Sequence, residues 1–333
     1  MTTAKKHPAK SRKELPGKFS FIDLFAGVGG MRIGFESAGG KCVFTSEWDK
    51  YAQKTYEANF GEMPSGDITK IKASDIPKFD ILLAGFPCQP FSTIGKREGF
   101  SHPTQGTLFD DVVRILKYHR PRGFLLENVA GLRNHDNGNT LEVIEKELKK
   151  LGYKYDYKII NAVRFGVPQH RERIYIVGKL SKQSGKADFD WPEGSNKIVG
   201  IGKSIKTGIT DHSISKHLQD VYIYKKEDGR PQIIDRSSNI PVKTLVASYH
   251  KIQRLTGTFV RDGETGLRLL TVDECKAIMG FPKSFEIPKS VSRTQMYRQM
   301  GNSVAVPVIM ELAKWMIEDL KVLKSRKTTS TGN

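Results

Sequence analysis

A chain of 333 residues can bury one large core and a smaller second one. Its 54 Lys and Arg against 36 Asp and Glu leave a formal charge of +18, which points to a polyanionic partner such as nucleic acid. No run is long and apolar enough to span a membrane, and Cys42, Cys88 and Cys275 lack the C-x-x-C spacing of a zinc site or a disulfide framework. The expectation is a soluble protein of a reducing cytoplasm, with no metal and no membrane partner.

In chain order, residues 1–18 are rich in Lys, Ser and Pro and read as a disordered basic arm. Residues 19–25 read as a first buried strand that runs straight into Gly27, Gly29 and Gly30. The dinucleotide fingerprint G-x-G-x-x-G fails, because Arg32 stands where the third glycine would fall. What remains is a glycine turn that lets a ligand approach backbone before a helix to about Ala38. A second strand over 41–45 leads to Glu47, 20 residues after Gly27, where an acidic side chain would hold a ribose diol. Trp48 beside it either stacks on a purine or packs on the sheet edge. Asp67, in the run GDI over 66–68, either accepts from an exocyclic amine or caps a turn. Together these describe an adenosine site without a pyrophosphate site.

Residues 79–84 read as a fully buried strand, followed by GFPCQPFS over 85–92. Pro87 and Pro90 each remove a backbone donor and stiffen this loop, so Cys88 is held at the carboxyl end of a strand and reads as a fixed nucleophile. Lys96 and Arg97, between Gly95 and Gly99, suit a mobile loop touching phosphate. Thr107 is expected to cap a helix with Leu108, Val112, Ile115 and Leu116 on one face. A strand over 123–126 ends at Glu127, a candidate acid in the same layer as Cys88. Asn139 with Glu142 is read as opening a helix to about Leu151. Strands are expected near 155–163 and 173–177, and the two-residue spacing of Gln169, Arg171 and Arg173 puts them on one face.

From about Ser181 to Arg236, Lys, Gly, Ser and Asp dominate, with β-prone pieces such as residues 221–224. Lys225, Lys226, Arg236, Lys243, Lys251 and Arg254, with Tyr249 and His250, suit a surface that reads a groove. Thr271 should cap a helix through Met279 that Gly280 ends and Pro282 stops. A short helix over 295–300 and a long amphipathic helix over 304–323 are expected to follow, the latter packing back on the first sheet.

The runs FIDLFAGVGG (21–30), EWD (47–49), GDI (66–68), GFPCQPFS (85–92), ENV (127–129), QHRER (169–173) and GNSV (301–304) occur in one order. In these the chain resembles the bacterial-type DNA (cytosine-5)-methyltransferases over residues 19–325. The resemblance implies an α/β fold: a Rossmann-like S-adenosylmethionine-dependent methyltransferase sheet with a smaller, irregular β-rich target-recognition domain. It divides the chain into the arm (1–18), a catalytic and cofactor-binding domain (19–188), the target-recognition domain (189–286), a hinge with the C-terminal helix (287–325) and a disordered tail (326–333).

The implied activity is methylation of cytosine C5 in double-stranded DNA from S-adenosylmethionine, by a monomer that is the modification partner of a restriction endonuclease. Phe25, Gly27, Gly29, Gly30, Glu47, Trp48, Asp67, Ile68 and Asn302 would line the cofactor site. Cys88 would attack C6 of a flipped-out cytosine, and Glu127 would bond N3 and the amine. Arg171 and Arg173 would orient Glu127 and the nucleotide. Ser92, Lys96, Arg97, Gln169, Thr244 and Leu245 would meet DNA. One departure is Gln105, where the family often has Arg before its Gly-Thr-Leu-Phe run. A transfer-RNA cytosine methyltransferase of this fold is the nearest rival, disfavoured by the long basic middle region. A binding-only module is disfavoured by the intact Cys88 and Glu127, and a nicotinamide oxidoreductase by the glycine spacing.

Overall fold

The apolar runs pair as strands β1 (Phe19–Leu24), β2 (Gly40–Ser46), β3 (Ile81–Gly85), β4 (Gly123–Val129), β5 (Tyr153–Asn161), β6 (Glu172–Leu180) and the short β7 (Gly185–Lys186). They form one sheet in the order β2-β1-β3-β4-β6-β5-β7 in a computed structural model that describes residues 18–87 and 108–323. The strands from β2 to β4 are parallel, whereas β6 runs antiparallel to both β4 and β5. The chain leaves β1 toward β2 on one side and returns to β3 on the other. The carboxyl ends of β1 and β3 therefore flank the switch point, where an open sheet leaves a crevice.

The two faces of the sheet follow from the period of two along each strand. Ile81 and Leu83 of β3 join one apolar cluster with Phe21, Phe35 and Ile309, while Leu82 and Ala84 join another with Ile22, Ile115 and Ile144. Helices α1 (Gly30–Ser37) and α8 (Val306–Glu318) cover the first face, and α3 (Leu108–His119) and α4 (Asn139–Lys150) the second. Gly34 permits the α1–α8 contact, since a Cβ there would lie 2.4 Å from Ile309 Cγ2. A third cluster gathers Ile201, Val242, Leu245, Phe259 and Leu267 with α6 (Val272–Met279) and α7 (Arg293–Asn302). It also takes in Val28 and Ala52, the latter from α2 (Lys50–Phe60), so the second core is built against the first.

Several elements depart from expectation. Residues 221–224 are not extended. After the short α5 (Lys216–Leu218), the Tyr224 N–H reaches Gln219 O at 2.8 Å and closes a wide helical turn. After β7, regular strand among the described residues of the middle region is limited to β8 (Gln232–Ile234) and β9 (Thr258–Val260), paired in parallel. Asn139 is the first helical residue of α4 rather than its cap. Gly138 takes the cap position in left-handed backbone, after Asp136 and Asn137 in the same region. Helix α8 is shorter than its apolar run. Pro307 sits in its first turn, and beyond Glu318 the core residues Leu320 and Val322 alternate by two, a period no helix serves. The capping box of Thr271 with Glu274 and the stop at Gly280 are as expected. Residues 88–107, with Thr107, lie outside the described residues.

Candidate active site

The crevice at the switch point is a cavity of about 500 Å³. Its floor is the turn after β1, where Phe25, Gly27 and Gly29 all take left-handed backbone. Gly29 is required on two counts: its φ is +86°, and a Cβ would lie 2.2 Å from Phe60 Cε2. Glu47 braces this turn. Its Oε2 accepts from Gly27 N at 2.8 Å and its Oε1 from Asp49 N at 2.7 Å, and burial still raises its pKa against those bonds. Each oxygen keeps a lone pair for a ligand hydroxyl. Trp48 is 72% exposed at the rim, so it presents a free aromatic face rather than packing on the sheet edge. Asp67 caps the turn Ile68–Lys70 through Thr69 N at 3.0 Å and also lines the cavity.

The opposite wall comes from the tips of β3 and β4 and the start of β6. Gly85 is in register with Glu127, and a Cβ at 85 would sit 3.4 Å from Glu127 Oε2. Glu127 lies opposite Tyr175 across the antiparallel pair, which makes Arg173 its diagonal neighbour. Arg173 Nε stands 3.2 Å from Glu127 Oε1. Burial raises the pKa of Glu127, while Arg173 and then Arg171 pull it down. Asn128 ties this tip to the loop entrance, donating from Nδ2 to Phe86 O at 2.9 Å. Phe86 and Pro87 line the cavity; Cys88, Ser92, Lys96 and Arg97 follow outside the described residues.

The expected cofactor residues Phe25, Gly27, Gly30, Glu47, Trp48, Asp67, Ile68 and Asn302 all line this one cavity, and Gly29 lies in its floor turn. Arg171 and Arg173 line it too. Gln169 and Leu245, expected at the DNA, are instead interior: Gln169 is fully buried, and the Leu245 side chain belongs to the third apolar cluster. Thr244 is half-buried and donates to His170 O at 2.6 Å. Arg171 is interior as well and bonds backbone carbonyls rather than Glu127.

Sequence reasoning passed over Asp23, Ser46, Gln299 and Ser303, which also line the cavity. Among the described residues Asp23 Oδ2 and Ser46 Oγ are buried without a partner, and burial pushes the Asp23 pKa up to about 8. A carboxylate inside the strand run over 19–25 was the one signal that marked Asp23.

A mixed seven-stranded sheet with a cavity at its switch point, flanked by helices on both faces, is the fold of S-adenosylmethionine-dependent methyltransferases. Residues 19–318 match the family model described as C-5 cytosine-specific DNA methylase, and the chain belongs to that family of DNA (cytosine-5)-methyltransferases. It is 54% identical over 320 residues to the Type II methyltransferase M.MspI of Moraxella sp, covering 96% of this chain and 75% of the relative. To the Type II methyltransferase M.BsuFI of Bacillus subtilis it is 58% identical over 313 residues, 92% of this chain and 76% of that one. In fold it is similar to the S. pombe Dnmt2 methyltransferase, with a TM-score of 0.74 at 22% identity, over 91% of this chain and 99% of that one.

Proposed function

We propose that the protein methylates C5 of cytosine within one short sequence of double-stranded DNA, as the modification enzyme of a Type II restriction–modification system. The observation that carries this reading is the shared cavity: Glu127 and Arg173 stand across it from the Glu47–Trp48–Asp67 shelf, beside the loop that leads to Cys88. The naming of the 54–58% identical relatives as Type II methyltransferases supports the modification role. A monomeric enzyme in the bacterial cytoplasm, with a restriction endonuclease as its counterpart, completes the proposal. The domain limits drawn from the sequence stand as part of it.

The residues present fit S-adenosylmethionine. The orphaned Asp23 carboxyl and Ser46 hydroxyl offer a buried polar end suited to a cationic amino-acid group, while Glu47 and Trp48 suit a ribose diol and a purine. When bound, this cofactor supplies a methyl group on a positively charged sulfur. Cytosine C5 is too weak a nucleophile to take it unaided, which gives Cys88 its role. The thiolate would add to C6 of a base turned out of the duplex, and the ring electrons would shift to C5 as Glu127 supplies a proton to N3. C5 then takes the methyl group and gives up its proton to a base; the C6–S bond breaks and N3 returns its proton to Glu127, which restores the ring, Cys88 and the acid. Burial keeps Glu127 protonated to higher pH than a free carboxyl, as a donor to N3 requires.

The test is base-resolution mapping of 5-methylcytosine in plasmid DNA from a non-methylating host expressing the wild type or Cys88→Ala. The expected result is one short sequence modified throughout in the wild type and nowhere in the variant. Soluble, cofactor-binding wild type with unmodified DNA would overturn the reading and turn attention to RNA.

A further inference from the structure

Segments far apart in the chain converge behind Glu127. Residues 168–171 run alongside 242–245 as a short parallel pair, through Val242 N to Pro168 O at 2.8 Å and His170 N to Val242 O at 2.9 Å. Within that pair the Leu245 backbone is gripped at both ends. Gln169 Oε1 accepts from its N–H at 2.7 Å, and Arg171 Nη1 donates to its carbonyl at 3.1 Å. Arg171 reaches further, donating from Nη2 to Gly301 O at 2.9 Å and to Ser303 O. Gly301 lies directly under the same segment, where a Cβ would be 2.2 Å from Ala247 N. One buried guanidinium, carried just before β6, therefore binds a segment inside the recognition region and the turn that carries Asn302 and Ser303 into the cavity wall.

The chemistry of this contact is unusual for a buried arginine. Among the described residues no carboxylate is a hydrogen-bond partner; backbone carbonyls hold it, and burial pulls its pKa down to about 9, with Arg173 adding to the fall and Glu127 opposing it. Its Nε–H finds no acceptor among the described residues, and the side chain lines the cavity. A planar fork can serve three carbonyls in different segments; an ammonium on a flexible stem cannot hold the same three.

We infer that Arg171, with Gln169, is a positioning latch that joins the recognition segment at Leu245 to the cofactor wall at 301–303, so that DNA and cofactor strengthen each other's binding. The inference rests on the DNA-methylation reading above. Its role differs from that of Arg173, which serves Glu127 directly.

The experiment measures the affinity of S-adenosylhomocysteine by calorimetry, with and without a duplex bearing the sequence mapped in the methylation assay. In the wild type the duplex should tighten binding by a factor in the ~5–150-fold range of ordinary site-to-site coupling. In Arg171→Lys that factor should fall to within about twofold of one. Arg173→Lys should lose turnover while keeping the wild-type factor. A weakened Arg171→Lys that retains the wild-type factor defeats the latch, because a merely structural role lowers both affinities and leaves their ratio alone. An equal loss of the factor in Arg173→Lys also defeats it. Should Arg171→Lys not fold, Gln169→Met fills the same space, frees Leu245 N and should lower the factor in the same way. A wild type that binds S-adenosylhomocysteine but modifies no duplex defeats the underlying reading instead.

Discussion

Asp23 is 1% exposed, and burial pushes its pKa from 3.8 up to about 8, against the pull of Arg32. Because the folded value lies above the unfolded one, the contribution of this group to stability is full below about pH 4 and is lost as pH rises toward 8. Above that the native protein carries a buried, half-partnered carboxylate. Asp23→Asn should therefore raise the melting temperature at pH 8.5, by an amount equivalent to about 1–3 kcal/mol, the usual cost of an unsatisfied buried group. The same change should weaken S-adenosylhomocysteine binding, since the amide cannot pair with its ammonium. Calorimetry at pH 5 and 8.5 checks both, and an unchanged alkaline melting point would count against the orphaned-carboxylate account. Glu127 gives a second titration. If it donates to N3 as proposed, it does so while protonated, and turnover should decline as pH rises through its pKa. Arg173 lowers that pKa, so Arg173→Gln should shift the alkaline limb of the kcat profile to higher pH while costing ~10²-fold in rate. A limb that stays put would remove Glu127 from the proton transfer.

At the scale of elements, the turn after β1 is the most constrained piece. Gly29→Ala adds a Cβ both in left-handed backbone and against the Phe60 ring, so α2 must move or the turn must open. A loss of about 1–3 kcal/mol, with cofactor binding falling alongside, is expected in paired denaturation and calorimetric titrations. Full affinity in this variant would mean the turn is not the cofactor floor. Such elements were legible because their rules are local: Thr271, Glu274 and Gly280 bracket α6 within ten residues, and Glu47 follows Gly27 at a characteristic distance. Residues 221–224 were misread because Val, Tyr and Ile suit a strand wherever they are half-buried. Here Arg254 holds that turn instead, donating to Ile223 O at 3.0 Å and Lys226 O at 2.6 Å. The burial of Gln169 and Leu245 was not legible for another reason. Gln169 bonds Leu245 and Ile278, Arg171 bonds the Leu245 carbonyl, and no spacing along the chain announces a partner 74, 76 or 109 residues away.

For the molecule as a whole, the excess of 54 basic over 36 acidic residues predicts that DNA affinity is dominated by phosphate contacts. Affinity for the mapped duplex should fall by ~10³-fold or more between 50 and 200 mM salt if six or more phosphates are neutralised. A flat response in a fluorescence-anisotropy titration would show that the charge serves something else. The contact between α1 and α8, with Ile309 seated over Gly34, sets a schedule as well as a shape. On a ribosome adding roughly 5–20 residues per second, α1 emerges about a quarter of a minute to a minute before the helix that covers it. During that interval the apolar side of β1 and β3 that α8 will shield stands open to water, and the cavity wall at 301–303 does not yet exist. The cavity is therefore complete only once residues 301–318 have been made, long after the strands that form its floor.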